Sequence, residues 1–335
     1  MIPVIYGLSG LTITADERVF FSAVDPAGYI LFKRNIETRA QVRALTDALR
    51  SLAGRDDLPI LIDQEGGRVA RMQPPEWPAF PAGPAFDALY ETAPISGIEA
   101  ARANAEAIAL TLAEVGITVD CLPLLDVAQP DTTEAISIRA LGSEPLRVAA
   151  MGRAIIDGLQ RGGVVGVVKH MPGHGRALVD THYHLPTVTA SDEELEIDLA
   201  PFKALAGAPM GMTSHIVFQA WDPERPATLS PIVIEEIIRK RIGFDGLLMT
   251  DDIDMKALSG TAGDKAAGAI AAGCDIVLDC WGRMHEMEDI AGRLSDISDV
   301  SRARLDRAMA TIADVRADGD LAALIAKRDA LLAVA

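Results

Sequence analysis

At 335 residues with a formal net charge of −17, the chain is too acidic to make nucleic acid or an anionic membrane surface its partner. Its 49% hydrophobic and 24% charged residues allow a large core in a soluble protein and argue against disorder. No window approaches 18 uninterrupted apolar residues and the start lacks a signal-peptide pattern, so a spanning segment is not expected and the cytoplasm is the default location.

Eight short apolar runs follow one another, at residues 3–7, 29–32, 59–63, 117–122, 164–169, 210–214, 246–250 and 275–279. Between most of them lie stretches of helical period, at 38–52, 98–115, 145–160 and 231–241. Ser230 followed by Pro231 reads as an N-cap with proline in the first turn. Apolar strands alternating with helices imply a parallel sheet buried on both faces. Eight such units predict an α/β fold, a single (β/α)8 TIM-like barrel spanning 1–335 as one catalytic domain. A doubly wound open sheet is the structural alternative. Residues 296–335 read as helices packed on the outside, their charges forming a solvated face. The basic run Arg239-Lys240-Arg241 closes a predicted helix and suits the negative end of its dipole. Cys121, Cys274 and Cys280 each sit in or beside an apolar run, which predicts buried, reduced thiols.

Polar groups gather where these strands end. The third run leads into Asp63-Gln64-Glu65-Gly66-Gly67-Arg68, and the fourth reaches Asp126 by way of Pro123. The fifth ends in Lys169-His170, the sixth in Thr213-Ser214-His215 and the seventh in Asp251-Asp252. Ionisable side chains at one end of a barrel are the usual active-site pattern of that fold, although any single one can be a cap or a buried ion pair. A carboxylate at a strand end is rigid enough to serve as a nucleophile, and Asp251 is in that position. Strand neighbours point to opposite sides, so Asp252 is expected to pack or cap. Four of the six histidines fall in the Pro/Gly-rich stretch after Lys169. There Asp180-Thr181-His182 pairs a carboxylate with an imidazole, which suits His182 to act as acid and then base. Lys169 and His170 are donors suited to sugar hydroxyls. His170, His174, His182, His184 and Asp180 could instead ligate zinc, but Pro172 and Gly173 interrupt the helical spacing that such a site would need. No phosphate-binding glycine motif is present.

Lys169-His170-Met171-Pro172-Gly173-His174-Gly175 with Asp180-Thr181-His182 resembles the signature of glycoside hydrolase family 3, in its β-N-acetylglucosaminidase branch. Asp63-Gln64-Glu65-Gly66-Gly67-Arg68-Val69 with Arg71, and Thr250-Asp251-Asp252-Ile253-Asp254-Met255, resemble two further blocks in the family's order. The resemblance implies Asp251 as nucleophile, His182 as acid/base and Asp180 as its partner. It implies Asp63, Arg71, Lys169 and His170 as sugar-binding residues, and Arg139 in a further substrate-binding segment. That segment departs from the family pattern at Ala140 and Leu141, and Met171 stands where phenylalanine is commoner. The implied activity is a retaining exo-β-N-acetylglucosaminidase. It would release N-acetylglucosamine from 1,6-anhydro-muropeptides during peptidoglycan recycling, as a cytoplasmic monomer without metal or organic cofactor. The loop carrying the acid is expected to move and complete the site when substrate binds. A β-glucosidase or glycoside phosphorylase on the same scaffold, a metal-dependent barrel hydrolase and a non-catalytic sugar-binding protein are the alternatives.

Overall fold

The eight apolar runs close on themselves as parallel strands in chain order: β1 (Ile2–Gly7), β2 (Pro26–Leu31), β3 (Ile60–Ile62), β4 (Val119–Asp120), β5 (Val165–Met171), β6 (Met210–Thr213), β7 (Leu247–Asp252) and β8 (Ile276–Asp279). The closed order settles the architecture as a (β/α)8 barrel and removes the open sheet. The computed structural model describes residues 1–181 and 184–334. Register pairs such as Tyr29↔Ile60, Val167↔Met210 and Met249↔Ile276 keep neighbouring side chains level around the barrel.

Side-chain alternation along each strand separates two cores. Ile5, Ile30, Leu61, Val119, Val165, Val167, Met210, Leu247, Met249 and Ile276 fill the barrel interior. The intervening residues Val4, Tyr29, Ile60, Ile62, Val168, Leu248 and Val277 face the helices. Each such aliphatic side chain, fully buried, contributes roughly 1.5–3 kcal/mol. Continuing the inward parity one step past the last interior residue places Asp63 after Leu61, Lys169 after Val167 and Asp251 after Met249. The same alternation that builds the core thus directs these polar groups to the barrel mouth.

The helices cover the strands as the 3.6-residue period predicts. Arg39–Ala53 buries Val42, Leu45, Thr46 and Leu49 on one stripe and begins at Thr38, whose side chain accepts from the Gln41 amide. Asp192–Ala204 starts with a reciprocal box between Ser191 and Glu194. The predicted cap at Ser230 is present, its hydroxyl accepting from Val233 N at 3.1 Å. The helix beyond it, Val233–Ile242, is wound as a π-helix. Its buried residues are Val233, Ile234, Ile237, Ile238 and Ile242, one face turned to the barrel. The basic run at its end does more than face a dipole. Arg239 binds the carbonyls of Phe244 and Gly246 and the carboxylate of Asp275, and Arg241 binds Asp192 and Glu196.

The C-terminal segment forms helices Asp299–Ala310 and Leu321–Leu332. Leu305, Ala308 and Met309 of the first close the barrel interior at the end opposite the polar mouth. In the second, Arg328 departs from the expected solvated face. It is buried, donates to Asn104 Oδ1 at 3.1 Å and lies over the Phe80 ring. The three cysteines are buried and free. Among the described residues, no helix is long and apolar enough to cross a membrane.

Candidate active site

A cleft of about 590 Å³ opens at the C-terminal ends of the strands, the size of a small-ligand site. Asp63, Arg71, Arg139, Lys169, His170, Asp180 and Asp251 all line it, so residues more than 180 positions apart converge on one wall and floor. His182 lies outside the described residues.

The floor is a compact set of charges. Lys169 Nζ lies 3.1 Å from Asp63 Oδ1 and 2.7 Å from Glu65 Oε1. Arg71 Nη2 donates to Asp63 Oδ2 at 3.0 Å. Arg139 grips Glu65 with both arms of its fork, Nη2 to Oε1 at 2.6 Å and Nε to Oε2 at 2.8 Å. Burial alone would raise the Asp63 and Glu65 carboxyls. The cations prevail and hold both below the usual range, Lys169 and Arg71 for Asp63, Arg139 and Lys169 for Glu65. For Lys169 burial pulls the other way, and Glu65 and Asp63 outweigh it and push the amine above its ordinary value. Asp63, Glu65 and Lys169 therefore stay charged around neutral pH and offer fixed donors and acceptors to the cleft.

Local structure explains the placement of Arg71. After β3 the chain makes a small hairpin in which Gln64–Gly66 pairs with Val69–Ala70. Gly66 and Gly67 turn it with φ of +98° and +58°, and a Cβ at Gly66 would meet Pro81 O at 2.2 Å, so only glycine fits there. The Gln64 side chain ties the two arms, accepting from Arg71 N at 2.9 Å and Met72 N at 3.0 Å. Gln64 N in turn donates to Asp120 Oδ1 at 2.9 Å.

Behind His170 stands Asp126, fully buried. Its Oδ2 accepts from His170 Nδ1 at 2.7 Å and its Oδ1 from the amide of His174 at 2.7 Å. Against the effect of burial, attraction to His170 and these hydrogen bonds hold Asp126 down at about 2. A carboxylate on Nδ1 fixes the His170 tautomer and leaves its other nitrogen for the cleft. His174 packs edge-on against His170 at 5.5 Å, and burial followed by repulsion from His170 lowers it to about 4, so it is neutral. Among the described residues, no three or more His, Cys, Asp or Glu side chains are arranged to hold a metal ion.

The two neighbouring aspartates of β7 occupy different surroundings. Asp251 Oδ1 accepts from the Asp252 amide at 2.8 Å. Burial works against its ionisation, but attraction to His170 and the hydrogen bond from that amide lower it below the ordinary carboxyl value. Asp252 is turned toward β8, where it accepts from Trp281 Nε1 at 3.1 Å and from the amides of Asp254 and Cys280. Burial and repulsion from Asp251 and Asp254 raise it to about 6. Different environments thus leave Asp251 the ionised group and Asp252 the tethered one, the division that strand alternation suggests. Glu65 and Asp126 stand among the polar strand ends read from the sequence but were given no individual role there. Glu65 lies inside the block read for Asp63, and only its fork with a residue 74 positions away reveals its part.

The sequence profile of the glycosyl hydrolase family 3 N terminal domain matches residues 9–315. The chain is 35% identical over 310 residues to a beta-hexosaminidase from Alkalilimnicola ehrlichii, covering 91% of this chain and 88% of that one. It is 37% identical over 295 residues to a beta-hexosaminidase from Xanthomonas campestris pv. campestris, covering 86% and 87%. Among solved structures it resembles NagZ from Neisseria gonorrhoeae in complex with N-trifluoroacetyl-D-glucosamine, with a TM-score of 0.86 at 28% identity over 99% of this chain and 97% of that one. It also resembles a glycoside hydrolase family 3 beta-N-acetylglucosaminidase from Paenibacillus sp., with a TM-score of 0.81 at 32% identity. The chain spans 61% of that longer protein and 98% of itself is covered.

Proposed function

The chain belongs to glycosyl hydrolase family 3, and from that membership we propose that it is a retaining exo-β-N-acetylglucosaminidase acting on 1,6-anhydro-muropeptides. The observation that carries the reading is the Asp251 carboxylate, held ionised in a cleft whose floor is the Asp63, Glu65, Lys169, Arg71 and Arg139 charge set. The sugar hydroxyls would be read by Asp63, Arg71, Lys169, His170 and Arg139. Asp251 would attack the anomeric carbon while His182, oriented by Asp180, protonates the leaving oxygen. The bond from carbon to the leaving group breaks as the bond to Asp251 forms. His182 then removes a proton from water, which displaces Asp251 and releases N-acetylglucosamine with its configuration retained.

Two cations at the cleft favour a leaving group that carries negative charge. Arg68 is exposed and forms no ion pair among the described residues, and Arg34 spends its hydrogen bonds on the carbonyls of Leu8 and Cys280. In a chain of net charge −17, arginines without carboxylate partners at a cleft suit an anionic substrate such as a lactyl- and peptide-bearing sugar. Peptidoglycan recycling in the cytoplasm would supply that substrate.

The test is release of N-acetylglucosamine from an N-acetylglucosaminyl-anhydro-muropeptide, followed by mass spectrometry, beside aryl β-N-acetylglucosaminide and aryl β-glucoside. Release from the first two, with no product from the glucoside, supports the reading. Preference for the glucoside returns the β-glucosidase alternative, and a sugar phosphate formed in phosphate buffer returns the phosphorylase.

A further inference from the structure

His215 follows β6 and is fully buried, outside the cleft, yet it touches the segment that carries Asp251. Its Nε2 lies 2.9 Å from the carbonyl oxygen of Asp252, and its Nδ1 lies 2.7 Å from Thr228 Oγ1. Thr228 Oγ1 is also 3.0 Å from the carbonyl of Ser214 and 2.8 Å from Thr213 Oγ1. The side chains of His215, Thr228 and Thr213 are fully buried, so these protons have to be shared among these atoms.

The count of protons allows one arrangement for a neutral ring. A carbonyl only accepts, so Nε2 must carry the hydrogen that bonds Asp252 O. Nδ1 is then bare and needs a donor, and Thr228 is its hydrogen-bond partner. The single Thr228 proton goes to Nδ1, which leaves Thr213 to donate to Thr228 and leaves Ser214 O without that proton. Donation runs one way, from Thr213 to Thr228 to His215 to the Asp252 carbonyl. Burial keeps the ring neutral, lowering His215 below its ordinary value. The amide on the other side of Asp252 is the one that bonds Asp251 Oδ1.

We propose that His215, as the Nε2–H tautomer set by the Thr228 hydroxyl, is a positioning residue that fixes Asp252 so that its amide aims the Asp251 carboxylate. The inference rests on Asp251 being the nucleophile. Other charged groups acting on Asp251 are His170, Lys169 and Asp252, and those acting on His215 are Asp251, His170 and Lys265. None of these charged groups bonds the Asp252 carbonyl, which His215 shares with the Met255 amide at 3.2 Å.

The experiment compares wild type, Thr228→Val, Thr228→Ser and His215→Gln on an aryl β-N-acetylglucosaminide across pH. Thr228→Val removes the proton donor at nearly constant shape. It is expected to lower kcat by about 10- to 100-fold, the cost of a misaimed reacting group, while the inhibition constant for N-acetylglucosamine changes by less than about threefold. The acid limb of kcat/KM should move up by about one pH unit, because Asp251 loses part of the hold that keeps it ionised. Thr228→Ser should restore both. Equal damage from Val and Ser, or a lowered Tm with the acid limb unmoved, would overturn the proposal. The ¹⁵N shifts of the His215 ring in wild type, assigned against His215→Gln, need no folded Thr228 variant: a neutral Nε2–H ring supports the proposal, and an Nδ1–H or doubly protonated ring overturns it. Wild type without turnover would instead count against the proposed activity.

Discussion

Arg139 and Glu65 meet fork to fork across 74 residues of sequence, at 2.6 and 2.8 Å, with both side chains largely shielded from water. Glu65 also accepts Lys169, so one carboxylate aligns two cations of the cleft. Arg139→Ala would leave Glu65 buried with half of its compensation. Breaking a buried pair from one side costs about 3 kcal/mol or more of stability. We expect kcat/KM for an aryl β-N-acetylglucosaminide to fall about 100-fold, mostly through KM. Arg139→Lys should recover little, since a point charge cannot reproduce the fork. Full recovery by lysine would mean that only the charge matters.

Asp279 makes the reverse case. It is 1% exposed, and among the described residues neither carboxylate oxygen has a hydrogen-bond partner of good geometry. Burial, then repulsion from Asp252, Glu286 and Asp254, raises it to about 7. Its folded value lies above the unfolded one, so the native state binds the extra proton between about pH 4 and pH 7. Stability from this group is full below about pH 4 and is lost as pH rises through about 7. Asp279→Asn, always neutral, should therefore raise Tm by several degrees at pH 8 and change it little at pH 4.5. The same shift at both pH values would show that ionisation of Asp279 is not the cause.

Much of this site was legible because strand alternation is a strict rule. Leu61, Val167 and Met249 are apolar and inward, and the same parity carried two residues further names Asp63, Lys169 and Asp251. The barrel itself followed from eight apolar runs, each of which became a strand. What alternation cannot supply is the partner across space. Nothing in the residues around Glu65 indicates Arg139, and nothing around Asp126 indicates that its carboxylate would accept a hydrogen bond from His170 Nδ1. Arg328 was read as solvated because charged helix residues usually are, and it is buried because Asn104 and Phe80 offer its guanidinium a polar atom and a ring.

The two aspartates of β7 can be separated by mutation. Asp251→Ala removes the ionised group and should reduce turnover by roughly 10⁴-fold or more, with little change in Tm because the residue borders the cleft. Asp252→Ala removes acceptors from Trp281, Cys280 and Asp254, and should lose about tenfold in kcat together with some stability. If Asp252→Ala were the more damaging to turnover and Asp251→Ala retained activity, the nucleophile would have to be reassigned to Asp252.

His182 is tested through the leaving group. An acid is needed in proportion to the basicity of the departing oxygen, and kcat/KM reports the first bond-breaking step alone. His182→Ala should lower kcat/KM by about 10²- to 10⁴-fold for substrates with poor leaving groups such as a second sugar. For a nitrophenyl leaving group, already stable as an anion, the loss should be far smaller in the same step. Its kcat should still fall, because the second step needs the same imidazole as a base toward water. A plot of log kcat/KM against leaving-group pKa should therefore be steeper for the variant than for wild type, and the alkaline limb of the pH profile should flatten. Parallel lines would mean that His182 binds or orients the sugar without moving the proton, and the acid would have to be sought among the other groups of the cleft.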